Sequence, residues 1–239
     1  MSGDLARLWV YLAADPLLWL TLTLVAYQGG LWLHRRFGGN PLLNPVLIAV
    51  LLLVGIVLGT GVQYRDYFAG AQFVHFLLGP ATVALAVPLF RQLAGVRRAL
   101  PALAAALLAG SLTAAGSAVL IGWLLGADRQ TLLSLAPKSA TTPIAMGVAE
   151  QIGGLPSLTA VLVILTGIVG AVIATATLNF IGVTDWRARG FAVGTVAHGI
   201  GTARAFQVHP TAGAYAGLAM GLNGLLTAVA LPALLRLTE

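Results

Sequence analysis

Charged residues are scarce in this chain. Lys, Arg, Asp and Glu together make up 8% of its 239 residues, whereas an ordinary soluble domain carries about 25%. Hydrophobic residues reach 59%, and the mean hydropathy is +0.93. A soluble protein of this size would lack the polar surface needed to cover such a core. The composition therefore excludes a soluble domain and predicts an all-α integral membrane protein.

Cysteine is absent, which excludes disulfides, thiolate metal sites and a cysteine nucleophile. The sequence has no metal-binding spacing of histidines and carboxylates and no phosphate-binding loop. We therefore expect no metal, no cofactor and no enzymatic activity. The net charge of +6 comes largely from arginine clusters at 35–36, 91–98 and 187–189. Clusters between apolar runs set membrane orientation, so we expect a lipid bilayer and no nucleic acid as partner.

Long apolar runs make up most of the chain. A membrane-crossing helix needs about 20 apolar residues. Five segments come close to this length: 12–33, 44–61, 100–125, 157–179 and 213–235. Three further apolar stretches contain proline, glycine or charge: 72–90, 137–151 and 187–207. The predicted fold is a helical bundle of seven or eight spans, depending on whether the interrupted stretches cross the membrane or re-enter.

The interrupted stretches predict discontinuous helices around a cavity. Backbone leaves the helix at membrane depth only where protein or a wet cavity surrounds it. Thr142 is expected to cap a half-helix that has Pro143 in its first position. Gly201 or Thr202 is expected to cap another half-helix that continues through Arg204. These half-helix N-termini would point into the cavity.

The order of spans and breaks is similar in residues 12–125 and 131–235. This similarity predicts two repeat halves within a single transmembrane domain, residues 1–239. Transporters built from repeats often bind substrate near the midplane between interrupted helices. If 131–151 re-enters without crossing, the arginine clusters place the 182–189 loop in the cytoplasm, and Arg236 is expected on the same side.

Lys138 is the only lysine in the chain. It precedes the expected helix start, where Ser139, Thr141 and Thr142 add three hydroxyl groups. A helix N-terminus offers free N–H groups and partial positive charge. Together with an ammonium group, these features predict a site for a small carboxylate. The alternative is that Lys138 reaches the membrane interface and binds nothing.

His198 lies in a glycine-dense break, six residues before Arg204. An imidazole can change charge near neutral pH, and the arginine fork suits a carboxylate. The alternatives are that His198 is a hydrogen-bonded packing residue and that Arg204 pairs with Glu150 or Asp185.

Three other polar residues lie in or beside apolar stretches. Glu150 is interpreted as a structural ion-pair partner, with proton coupling as the alternative, a role that His198 could also fill. Thr82 is predicted to line the cavity. Asn223 is a further cavity-lining candidate, although a helix-to-helix hydrogen bond is the ordinary account of such a residue.

Three segments carry a family resemblance: "LLGPATVALAVPLFRQL" (77–93), "PKSATTPIAMGVAEQIGGLPSLTAVLVILTGIVGA" (137–171) and "HGIGTARAF" (198–206). From about Asn40 to the C-terminus the chain resembles the LrgB/CidB family of bacterial inner-membrane proteins. That family includes antiholin-like and holin-like proteins linked to murein hydrolase activity and lysis. It also includes the LrgB-like half of the plastid glycolate/glycerate translocator and proteins associated with pyruvate uptake.

The resemblance implies a multi-pass protein of the bacterial inner membrane that binds a small monocarboxylate. One wall of the implied site is Lys138, Ser139, Thr141, Thr142 and Pro143, and the other is His198, Gly199, Gly201, Thr202 and Arg204. A small LrgA/CidA-type membrane protein is the implied partner. We also expect a homo-oligomer, with a dimer favoured.

Three functions compete at this point. The first is a transporter of small 2-hydroxy or 2-oxo monocarboxylates, with proton coupling as an option. The second is a holin-like or antiholin-like pore or regulator of lysis. The third is an ion channel or exchanger, which the scarcity of carboxylates in the spans disfavours for cations. The lysine and hydroxyl cluster favours the transporter, because a pore gives no reason for it.

Overall fold

The computed structural model describes residues 15–77 and 93–236 and, between them, the single positions 80, 83, 84, 87 and 90. Thr82 lies outside the described residues. Every regular element in the described part of the chain is a helix. The helices are α1 Pro16–Arg36, α2 Pro45–Thr60, α3 Tyr64–Phe76, α4 Leu93–Leu124, α5 Arg129–Leu135, α6 Thr142–Ile152, α7 Pro156–Phe180, α8 Trp186–Val208 and α9 Pro210–Arg236, with a short 3-10 helix at Pro41–Leu43.

Four helices, α1, α4, α7 and α9, are long and apolar enough to cross a membrane. The five segments expected to be spans each coincide with one helix, and the fifth of these helices, α2, has 16 residues. The chain forms two compact units, Met1–Ala84 and Leu85–Glu239. The count of seven or eight crossings and the repeat halves stay predictions.

Short polar residues begin several helices. Asp15 caps α1, whose first residue is Pro16, and Asn44 caps α2, whose first residue is Pro45. A side-chain oxygen at the cap accepts a hydrogen bond from an N–H group that has no partner within the helix. Proline suits the first helical position because its missing N–H group would have no partner there. Local sequence therefore sets these helix starts.

The first unit has a core of its own. In it, α1 packs against α2 and α3. Ala26, Ala49 and Leu53 are buried together. Trp19 is fully buried, and its ring meets that of Tyr67 edge-on with the centroids 5.8 Å apart. This unit therefore has a small core of its own, while many of its large apolar side chains stay exposed.

In the second unit, α8 reverses direction at His198, whose φ of 40° and ψ of −132° interrupt the helix. The rings of Trp186 and His209 stack with their centroids 4.8 Å apart. A straight helix would separate these two positions by about 35 Å. A Cβ atom on Gly201 would also lie 3.2 Å from the carbonyl oxygen of Val193. The arms 186–197 (α8a) and 199–208 (α8b) therefore lie side by side as the α8 hairpin.

A second hairpin runs from Ser134, at the end of α5, through the turn 136–141 and back along α6, and we call it the α5–α6 hairpin. At its open end, the Ser134 hydroxyl oxygen accepts a hydrogen bond from the Leu155 N–H at 2.8 Å. The Ser134 carbonyl accepts one from the Thr159 hydroxyl at 3.1 Å. Gly153, with φ of 83°, ends α6 in the left-handed conformation that glycine favours. The chain therefore leaves Ser134, turns at 136–141 and returns beside it.

The two hairpins approach α7 from its opposite ends. The α5–α6 hairpin opens beside Thr159, near the start of α7. The α8 hairpin opens beside Leu178, near the end of α7, where Trp186 lines a small cavity with it. Both tips reach Val163, which packs against the α5–α6 turn and accepts a hydrogen bond from His198.

The second arm of the α8 hairpin finishes at the same end of the second unit at which the first arm begins. A Cβ atom on Gly190, near the start of α8, would lie only 2.1 Å from the carbonyl oxygen of Ala212, near the start of α9. From there α9 runs as one helix to Arg236. Arg236 therefore lies at the opposite end of this unit from the 182–189 loop. The sequence-based placement put both on one side of the membrane because it counted 187–207 as a crossing, whereas the structure folds this stretch back on itself.

Candidate functional site

The two hairpin tips meet beside the middle of α7. The side chain of Val163 packs with Ala140 and Ala145 of the α5–α6 hairpin. Its carbonyl oxygen accepts a hydrogen bond from the Nε2 atom of His198 at 2.8 Å. We call this region the tip site and define it as residues 138–142, 163, 198–202 and 223.

His198 is held in place from three directions. Because a carbonyl oxygen only accepts, Nε2 carries the proton in the hydrogen bond to Val163, and in the neutral ring Nδ1 keeps a lone pair. The hydroxyl of Thr202 donates to the His198 carbonyl at 2.8 Å. Gly167 leaves room for the ring, since a Cβ atom there would lie 2.6 Å from Cε1 of His198. The imidazole is therefore anchored to α7 at the turn of the α8 hairpin.

The half-helix starts differ from the predicted ones. Thr141 is the cap of α6, and Thr142 and Pro143 occupy its first two positions. The Thr141 side chain makes no capping hydrogen bond, so the first N–H groups of α6 are not capped by their own threonine. The break in α8 falls at His198 rather than at Gly201 or Thr202, and Thr202 bonds back to the preceding turn, a local alternative to capping.

Lys138 lies half-buried in the turn that precedes α6. Its Nζ atom donates to the hydroxyl of Ser139 at 3.4 Å. The next residue, Ser139, is joined through Asn223 to Thr195, which lies three residues before His198. The N-termini of α6 and α8b both begin at these tips, and helix N-termini carry partial positive charge. A cation and two positive helix ends therefore converge here.

Asn223 joins the two tips and is 1% exposed. Its Nδ2 atom donates to the carbonyl oxygens of Ser139 and Thr195, each at 3.0 Å. Its Oδ1 atom accepts a short hydrogen bond from the Ser111 hydroxyl. Both carbonyls lie where a regular helix stops, so they need a partner from elsewhere. Asn223 thus makes hydrogen bonds between helices, which is the usual role of an asparagine within a membrane span.

Arg204 lies away from the tips, toward the open end of the α8 hairpin. Its Nη1 atom donates to the side chain of Gln207 at 3.3 Å. It lines a small cavity there together with Arg189 and Trp186. Arg204 is six residues past His198, about 9 Å along a helix. The structure therefore does not bring Arg204 to Lys138.

Other predicted residues also lie outside the centre of the tip site. Pro143 and Gly199 are exposed, and Gly201 is buried against Val193. Glu150 is exposed in the last turn of α6. The ion pairs recorded among the described residues join Arg65 to Asp66 and Arg187 to Asp185, without Glu150.

Four residues in or beside the tip site gave little or no signal in the sequence. Ser111 is a polar residue within an apolar span, which is a weak signal for a contact between helices. Thr195 and Val163 contribute backbone carbonyl oxygens. Gly167 leaves space for the His198 ring because it has no Cβ atom. Contacts made by backbone groups and by glycines can be recognised only once the structure shows which helix lies beside them.

The loop before α8 carries an exposed ion pair. The Nη2 atom of Arg187 donates to Oδ2 of Asp185 at 2.6 Å. The side-chain hydrogen bond from Arg187 lowers the pKa of Asp185 from 3.8 to about 2. Beside it, the Arg189 guanidinium lies 5.1 Å from the ring centroid of Trp186. These contacts lie within the first turn of α8a.

A family model described as "LrgB-like family" matches residues 23–237. The chain belongs to the LrgB-like family. The family resemblance seen in the sequence is thereby confirmed, and the match starts earlier than Asn40. It covers the whole tip site. With its four long apolar helices, this LrgB-like chain is a membrane protein.

Relatives match this LrgB-like chain over nearly their full lengths. The Bacillus subtilis protein YwbG is 37% identical over 216 residues, which cover 90% of this chain and 96% of YwbG. A Haemophilus influenzae protein is 33% identical over 220 residues, covering 92% of this chain and 95% of that protein. Holin-like protein CidB of Staphylococcus epidermidis is 29% identical over 223 residues, covering 93% and 97% of the two chains. No solved structure matches the chain.

Proposed function

We propose that this LrgB-like protein transports small monocarboxylates of the glycolate, glycerate and pyruvate type across the bacterial inner membrane as a multi-pass protein. The carboxylate binds at the tip site. One observation carries this proposal, namely that two hairpin tips converge on the middle of α7 and that one of them contains the only lysine of the chain.

The chemistry of the tip site suits one negative charge. Lys138 supplies a single ammonium group, and the first turn of α6 supplies N–H groups that no threonine caps. The hydroxyls of Ser139, Thr141 and Thr142 lie in the same turn and can bond the hydroxyl or keto oxygen of the substrate. A dicarboxylate would bring a second charge without a second cation in this turn.

The arrangement of the hairpins supports alternating access. The two hairpins enter beside opposite ends of α7, so each is a discontinuous membrane element that closes the site toward one face. Movement of one hairpin against the other would open the site to one side at a time. Of the two residues predicted to couple protons, His198 lies at the tip site and Glu150 does not. We therefore assign coupling to the Nδ1 atom of His198.

A holin-like role is the second candidate function. It is favoured by the relatives from Staphylococcus epidermidis and Staphylococcus aureus that bear the name Holin-like protein CidB. In that role the chain would form a pore or regulate lysis with a small LrgA/CidA-type membrane protein, as a homo-oligomer such as a dimer.

Uptake into liposomes tests the proposal. Purified protein in liposomes is expected to accumulate labelled glycolate or pyruvate, faster when the pH gradient drives protons inward. Lys138→Ala should lower uptake at least tenfold, since a hydrogen bond to a charged group is worth about 1.5–3 kcal/mol. Lys138→Arg should retain part of the activity. Arg65→Ala is the matched control, because it removes an exposed cation in the first unit and should leave uptake unchanged.

Two results would count against the proposal. Uptake by Lys138→Ala at the wild-type rate would show that the carboxylate binds elsewhere. Release of trapped sucrose together with the carboxylate would favour the holin-like pore, because a transporter with a single-charge site excludes a neutral sugar.

A further inference from the structure

A groove of about 450 Å³ runs between α4 and α8a in the second unit. Its α4 wall consists of Ala99, Ala102, Leu103, Ala106 and Gly110. From Ala99 to Gly110 it extends about 16 Å along the helix. Its facing wall includes Phe191 and Val196. Apart from one end, the groove is apolar and narrow, and we call it the α4–α8a groove.

Polar groups collect at one end of the groove. Asp185 and Arg187 line it there. Tyr215 also lines it and is 1% exposed, and among the described residues its hydroxyl has no hydrogen-bond partner. A Cβ atom on Gly95, one turn before Ala99, would lie 3.0 Å from that hydroxyl. Buried hydroxyls are nearly always hydrogen-bonded, so this one points to a ligand.

We propose that the α4–α8a groove binds an anionic phospholipid. One acyl chain lies along the alanines of α4, and the phosphate lies at the end that holds Arg187 and Tyr215. Arg187 uses Nε and Nη2 for Asp185, but a guanidinium has five N–H groups, so donors remain for a phosphate. Arg97 and Arg98 are exposed just before Ala99 and add positive charge. Basic pockets between membrane helices on the cytoplasmic side bind anionic headgroups.

The distribution of polar groups favours a lipid over a helix of a partner protein. The α4 wall of the groove is lined by alanine, leucine and glycine, and the charged groups Asp185 and Arg187 lie at one end. An acyl chain with a charged headgroup has the same distribution. The inference uses neither Lys138 nor the transport activity, so it stands apart from the proposed function.

Lipid binding to the purified full-length chain tests the inference. Native mass spectrometry in detergent would compare phosphatidylglycerol with phosphatidylcholine of the same acyl chains. We expect phosphatidylglycerol to bind at least tenfold more tightly. Ala106→Trp fills the groove and should weaken that binding at least tenfold. Tyr215→Phe keeps the ring and should weaken it several-fold. Ala104→Trp is the matched control, because Ala104 is exposed on α4 but does not line the groove.

The opposite results would overturn the inference. Binding of phosphatidylglycerol by Ala106→Trp at wild-type strength would show that the lipid lies elsewhere. Equal binding of the two lipids, unchanged in Tyr215→Phe, would exclude a headgroup site. If Ala106→Trp instead prevented co-purification of a small membrane protein and left lipid binding intact, the groove would hold a partner helix. Lys138→Ala should bind lipid as the wild type does. A failure of the transport proposal would therefore leave the lipid-binding result unchanged.

Discussion

Asn223 shows how one side chain can support two interrupted helices. It offers two N–H groups and one acceptor oxygen, and the structure uses all three, toward Ser139, Thr195 and Ser111. A leucine of similar size would leave two buried carbonyls without partners. The asparagine therefore explains how backbone can leave the helix at two places inside one apolar bundle.

Gly167 is the residue at which the packing of His198 is tested most directly. In Gly167→Ala the new Cβ atom would lie 2.6 Å from Cε1 and 2.9 Å from Nε2 of His198. We expect the ring to shift and the hydrogen bond to Val163 to weaken, at a cost of about 1–3 kcal/mol. The thermal unfolding midpoint in detergent should fall, and substrate uptake should fall with it.

Gly116→Ala is the control for that substitution. Gly116 also lies within a long apolar helix, but a Cβ atom on it would have no atom within 4 Å other than those of its own neighbours in the helix. Alanine is favoured over glycine in a helix by about 0.8–1 kcal/mol, so this variant should be as stable as the wild type or more so. Equal unfolding midpoints for the two variants would contradict the packing described here.

The separate residues of the site were partly predictable. Lys138, Ser139 and His198 stood out because polar groups among apolar runs need a reason, and the structure brings them together. Arg204 stood out for the same reason, yet it lies six residues along its arm, toward the open end of the α8 hairpin. Sequence spacing gives distance along a helix, but it does not show which end of the helix faces the site.

At the scale of the elements, the central feature is that residues 186–208 form a hairpin. Small residues make this possible, because Gly201 lies against Val193 and Ala197 of the other arm at distances that a side chain would prevent. Helices approach this closely where glycine and alanine face each other. The glycines that marked a break in the sequence therefore also serve as the contact surface of the folded arms.

Cross-linking tests the hairpin. The chain has no cysteine, so Trp186→Cys with His209→Cys introduces the only two thiols. Because the two rings stack at 4.8 Å, a short bis-maleimide should join these positions within one chain. After digestion with trypsin, which cleaves after Arg187 and Arg204, the two fragments that carry the new cysteines should then stay connected.

The control pair is Pro210→Cys with Arg236→Cys, at the two ends of α9. These positions are about 39 Å apart along a straight helix and should not be joined. If a monofunctional maleimide labelled both thiols of the Trp186→Cys, His209→Cys variant but the short reagent gave no cross-link, α8 would be straight.

At the scale of the whole chain, the direction of the hairpins decides which loops share a membrane face. The 182–189 loop and His209 lie at one end of the second unit, and the 125–128 loop lies at the other end with the start of the α5–α6 hairpin. Arg97, Arg98 and Arg187 belong to the first of these ends, which the positive-inside rule places in the cytoplasm.

Labelling from each side of the membrane tests this orientation. A membrane-impermeant maleimide should react with Thr184→Cys and His209→Cys in inverted vesicles and with Leu125→Cys in right-side-out vesicles. The cysteine-free wild type is the blank. Reaction of Thr184→Cys and His209→Cys from opposite faces would show that α8 crosses the membrane, and the two-hairpin arrangement would then be wrong.

The sequence by itself determined the membrane class, the positions of the long apolar helices and the family. These properties depend on local hydropathy, on caps such as Asp15 and Asn44, and on proline and glycine at particular positions. Only the tertiary structure decided that the interrupted regions fold back as hairpins, that their tips meet at Val163, and that Asn223 joins them. Those outcomes depend on which small surfaces of distant segments fit together, and that fit is a property of pairs of helices rather than of any one stretch of sequence.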